Sequence, residues 1–82
     1  MNLEKTIIKI IAERLGISPG EITKESSLTR DLNASQLEIT DLILVLEENF
    51  RLKIPEEELK NLEKVGDITS YISEHLDEPS TL

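Results

Sequence analysis

In the stretch LEKTIIKIIAERLG, residues 3–16, the apolar side chains of Leu3, Ile7, Ile8, Ile10, Ile11 and Leu15 recur at helical spacing and cover one broad face. Gly16 follows, where a helix commonly ends in the left-handed region. Helical spacing returns in every later apolar segment, with no β-type alternation, internal repeat or low-complexity run, so the chain reads as all-α. A second helix is predicted from about Gln36 to Arg51. A short third helix lies in IPEEELKNL, with Pro55 near its start and Leu59 and Leu62 turned inward. A fourth is expected after VGD, with Asp67 as its cap and Ile68, Tyr71, Ile72 and Leu76 facing the core. Residues 1–76 would form one domain, a four-helix bundle, followed by a frayed tail over 77–82.

The first two helices are joined by a long connection anchored by Ile17, Ile22, Leu28 and Leu32. Within it, SPGE places Ser18 to cap a short turn and Pro19 at that turn's first position. Loops this long in a small domain are often functional. The hydroxyls of Ser26, Ser27 and Thr29 in this loop read as turn formers.

A chain of 82 residues buries roughly 60–65% of the surface it exposes when unfolded, leaving little room for both a core and an enclosed active site. It has no cysteine, hence neither disulfide staple nor thiolate chemistry, which suits a reducing, cytoplasmic location. The opening residues carry charges throughout and lack a small-residue cleavage site, so no signal peptide is expected, and no apolar run reaches membrane-spanning length. Without a secretory signal, the NAS sequon at Asn33 to Ser35 is a chance match. Seventeen acidic against nine basic residues give a net charge of −8, which disfavours nucleic acid and anionic membrane and favours a basic protein surface as partner. Phe50 and Tyr71 are the only aromatics, too few for a base-stacking platform. His75, the single histidine, falls on the apolar stripe of the last helix and reads as a packing residue. No calcium loop, metal-ligand cluster or nucleophile with a base is present in the pattern, so no metal and no enzymatic activity are expected.

The second helix has two faces. At about 100° per residue, Ile39, Leu42, Ile43, Leu46 and Phe50 share one sector, the core side. Leu37 and Leu44 point roughly 180° away, in a stripe with Asp41 and Glu48 and flanked by Glu38 and Glu47. An apolar centre ringed by one sign of charge suits a basic, partly apolar partner. Ile54, Glu56 and Glu57 would extend that surface.

Over residues 3–76 the chain resembles the acyl carrier protein family. The resemblance rests on the helix order and on DL at Asp31 and Leu32, LEENF at Leu46 to Phe50 and IP at Ile54 and Pro55, with no gap between them. It implies a four-helix bundle that carries acyl thioesters on 4′-phosphopantetheine for fatty-acid or polyketide biosynthesis. The arm is attached to a serine in an Asp-Ser-Leu motif at the start of the second helix. It also implies docking of the acidic second helix by basic patches on acyl-processing enzymes and attachment of the arm by a phosphopantetheinyl transferase, with the carrier a monomer.

In the places of Asp-Ser-Leu stand Ser35, Gln36 and Leu37. Glutamine has no hydroxyl to esterify. Two readings of Ser35 remain open: the cap of the second helix, with SQLE as a capping box, or an attachment site displaced by one residue. The first makes the protein an unmodified interaction module; the second makes it a carrier. A third reading, an acidic mimic of nucleic acid, predicts indifference to Leu37 and Leu44.

Overall fold

The computed structural model describes residues 2–76, and these fold into four α-helices: α1 (Leu3–Leu15), α2 (Gln36–Phe50), α3 (Glu56–Leu59) and α4 (Val65–His75). The tail expected over 77–82 lies outside the described residues. Asn2 caps α1 by accepting the Lys5 N–H on Oδ1 at 3.1 Å. Gly16 ends it at φ 71°, a left-handed conformation that glycine adopts without steric cost, and donates its N–H to the Ala12 carbonyl. Helix α1 packs against both α2 and α4. Ile7, Ile11, Leu42, Leu46, Ile68 and Ile72 are fully buried where the three meet, each side chain contributing roughly 1.5–3 kcal/mol relative to an exposed one.

The long connection is ordered because its backbone polar groups find partners. Ser18 accepts the Gly20 N–H over a 3-10 turn at Pro19–Glu21. The Ser26 and Ser27 hydroxyls accept the Thr23 and Arg30 N–H groups, and Asp31 Oδ2 accepts the Ser27 N–H at 2.7 Å. The loop is tied to the entrance of α4 by N–H donation from Leu28 to Glu63, from Val65 to Ser26 and from Gly66 to Lys24, around an isolated antiparallel bridge between Ser27 and Lys64. Gly66 permits this approach: a Cβ there would stand 3.0 Å from the Lys24 carbonyl oxygen.

That bridge also corrects the expected start of α4. Lys64, held extended, is the residue before the helix, and Asp67 sits in the first turn, where Oδ2 accepts the Lys64 N–H at 3.0 Å. The far end of α4 differs as well. Leu76 lies beyond the helix and is 39% exposed rather than in the core. His75 is exposed; four residues after Tyr71, its ring stacks on the Tyr71 ring with centroids 4.1 Å apart. Helix α3 stops at Leu59, so Leu62 reaches the core from the following turn.

Candidate functional site

At the start of α2, Ser35 has an extended backbone and its Oγ accepts the Glu38 N–H at 3.1 Å. Glu38 reaches back, its Oε1 accepting the Ser35 N–H at 2.8 Å. This closes the capping box that SQLE encodes. The turn before it is set by Asn33 at φ 59°, a conformation asparagine tolerates, and by donation from the Ala34 N–H to the Leu28 carbonyl. Gln36 is the first residue of the helix and is exposed. It borders a cleft of ≈ 240 Å³ between α2 and α3, with Leu28, Ile39, Leu59 and Leu62 as apolar lining and Thr29, Thr40, Lys60 and Glu63 at its edges.

The exposed stripe of α2 stands opposite the core face. Leu37 is 79% and Leu44 55% exposed, while Leu42 and Leu46 are fully buried. Three of the four surrounding carboxylates have partners within the fold. Glu38 is held in the capping box. Asp41 is paired with Arg14 of α1, and Glu47 Oε2 accepts the Ile54 N–H at 2.8 Å. Glu48 alone of the four makes no hydrogen bond or ion pair among the described residues. Ile54 does not extend the stripe: it is 6% exposed and belongs to the core, drawn in where Glu47 fixes its backbone. Glu56 and Glu57 are exposed on α3 beside Pro55 and Lys60, on a different element from the stripe. The stripe continues instead into an open groove of ≈ 360 Å³ lined by Leu44, Glu47, Glu48, Arg51, Leu52 and Lys53. Arg14, Leu52 and the two cations at the end of α2 were not marked by the sequence. Arg14 lies 27 residues from Asp41, and no local spacing signals such a pair.

The helical bundle, the capped α2 and its exposed acidic face define a small carrier-type domain. Residues 5–72 match the family model described as "Phosphopantetheine attachment site". The chain is 44% identical over 75 residues to an acyl carrier protein of Chlamydia trachomatis serovar L2, covering 92% of this chain and 97% of that one. It is 43% identical over 72 residues to an acyl carrier protein of Chlamydia caviae, covering 88% and 94%. A solution structure from Anaplasma phagocytophilum, of a protein assigned as an acyl carrier protein, superposes with a TM-score of 0.84 at 27% identity, covering 95% of this chain and 92% of that one. The chain belongs to the acyl carrier protein family, whose members are not enzymes but carriers in fatty-acid synthesis and interact with acyl-processing enzymes.

4′-Phosphopantetheine is the prosthetic group of that family. The residues at the start of α2 do not fit it in the family's register. Gln36 ends in a carboxamide, and the neighbouring hydroxyl, on Ser35, is folded over the first turn as the cap. Among the described residues no cluster of metal-ligating side chains occurs and no helix is long and apolar enough to cross a membrane.

Proposed function

We propose that the chain is a carrier-type docking protein of fatty-acid or polyketide biosynthesis, a cytoplasmic monomer gripped by basic patches on acyl-processing enzymes through the exposed face of α2. One observation carries this reading: Leu37 and Leu44 lie two turns apart on the side of α2 away from the core, among Glu38, Asp41 and Glu48. Single exposed leucines are ordinary. Two in register inside a mainly acidic field offer an apolar anchor with electrostatic steering. Glu56 and Glu57 add to the same negative potential from α3. A nucleic-acid mimic would need the charge but not the leucines, which favours the enzyme-docking reading. The family's acyl-carrying role requires a hydroxyl at this helix start, where Gln36 has none and the Ser35 hydroxyl is engaged as the cap.

The test is binding of the purified chain to a broad-specificity phosphopantetheinyl transferase, measured by calorimetry. Leu44→Ala combined with Glu48→Lys should weaken binding at least about tenfold while thermal unfolding stays where it was, a loss of about 1.4 kcal/mol of binding free energy. Unchanged affinity in a folded double variant would refute the docking surface.

A further inference from the structure

We infer that this chain occupies the carrier-binding patch of enzymes that recognise carriers, a phosphopantetheinyl transferase among them, without bearing an arm, and so competes there with carriers that have the attachment serine; the inference rests on the docking reading above. The surface divides into two parts with different fates. The part that a partner grips, Leu37, Leu44 and Glu48, is exposed and in register on α2. The part that would hold cargo is missing its chemistry: Gln36, at the first position of the helix, offers no hydroxyl.

Ser35 does not supply a substitute. Its Oγ is 3.1 Å from the Glu38 nitrogen it caps, and Glu38 Oε1 in turn lies 2.8 Å from the Ser35 nitrogen. Esterifying that oxygen would dismantle the cap and set a phosphodiester against the Glu38 carboxylate. Moving from the first helical residue to the one before it also rotates the attachment atom by roughly 100° and shifts it by about 1.5 Å along the axis. Misplacement of that size costs about 100-fold in reactions that depend on alignment. Gln36 meanwhile borders the α2–α3 cleft, so a carboxamide stands at its edge in place of an arm.

The experiment incubates the purified chain with coenzyme A and a broad-specificity phosphopantetheinyl transferase, beside a control carrier that has Asp-Ser-Leu, and reads the intact mass. The wild-type chain should gain nothing. The double variant Ser35→Asp, Gln36→Ser, which keeps a capping side chain and restores a hydroxyl, should gain one phosphopantetheine on the peptide containing residue 36. In the same mixture the unmodified wild-type chain should slow modification of the control carrier, and Leu44→Ala with Glu48→Lys should relieve that inhibition. A phosphopantetheine on the wild-type chain, lost in Ser35→Ala, overturns the inference and leaves the docking reading intact. A double variant that stays unmodified overturns it too, because the block would then not lie at residues 35 and 36. Absence of competition by the wild-type chain removes the docking reading itself.

Discussion

Ser35 and Glu38 cap each other: the serine hydroxyl accepts the glutamate N–H at 3.1 Å and the glutamate carboxylate accepts the serine N–H at 2.8 Å. Two of the N–H groups left unpaired at a helix start are thereby satisfied. Ser35→Ala should cost about 1 kcal/mol. In a domain of this size that lowers Tm by roughly 4–8 °C. Ser35→Asp, which keeps an acceptor, should stay within a few tenths of a kcal/mol of wild type. Calorimetric unfolding checks both; an unshifted Tm in Ser35→Ala would mean that the hydroxyl does not act as the cap.

Arg14 holds Asp41 across the α1–α2 interface, with Nε 3.0 Å and the nearer terminal nitrogen 2.8 Å from Oδ2. Both side chains are about half exposed, so the pair contributes at most about 1 kcal/mol and is weakened by salt. Its larger consequence is for docking, since Arg14 offsets one negative charge on the α2 face. Arg14→Ala should therefore tighten binding to a basic partner at low salt, whereas Asp41→Asn should loosen it, with both effects shrinking at high salt. Titration of the same transferase at two ionic strengths separates the signs. Weaker binding by Arg14→Ala would instead make Arg14 a partner contact.

Arg51 ends α2 at φ 54°, in the left-handed region where a side chain costs about 1–2 kcal/mol. Arg51→Gly removes that strain but increases the freedom of the unfolded chain. The balance should lie between neutral and about 1 kcal/mol stabilising, while Arg51→Ile, β-branched, should destabilise. Urea unfolding of the two variants gives the comparison, and a clearly destabilised Arg51→Gly would show that contacts of the arginine side chain outweigh its backbone strain.

What the residues disclosed in advance was whatever short-range spacing encodes. SQLE announces its own capping box, and the positions of Leu37 and Leu44 follow from the helical period alone. The family motif likewise marks residue 36 as the place where a hydroxyl should be. Features that depend on how separate segments meet were not legible. Ile54 is buried because Glu47, seven residues earlier, captures its N–H after the helix has turned. The start of α4 moved forward because the bridge between Ser27 and Lys64 fixes the residue before it. The charge on Asp41 is offset by a residue 27 positions away. At the chain's far end, the helical period placed His75 and Leu76 on an apolar stripe, but the helix finishes at His75 and both are exposed.

Tyr71 supplies a pH test of the packing around α4. Its hydroxyl donates to the Lys53 carbonyl at 3.4 Å, a long bond, and its pKa is raised above 10.0 by burial first and by the negative charges of Glu58 and Glu47 next. The folded state thus holds the phenolic proton to higher pH than the unfolded state does. The stability linked to this group is fully present below about pH 10, the unfolded value, and is lost as pH rises through the folded one. Tyr71→Phe should cost under about 1 kcal/mol at pH 7, given the length of the hydrogen bond. The variant keeps the ring that stacks on His75 but has no proton to lose. Wild type should consequently fall toward, or below, the variant's stability as pH rises above about 10, whereas their difference should be constant from about pH 7 to 9. Lysine titration affects both proteins alike, so the difference between their unfolding curves isolates Tyr71; parallel curves throughout would mean that its ionisation is not linked to folding.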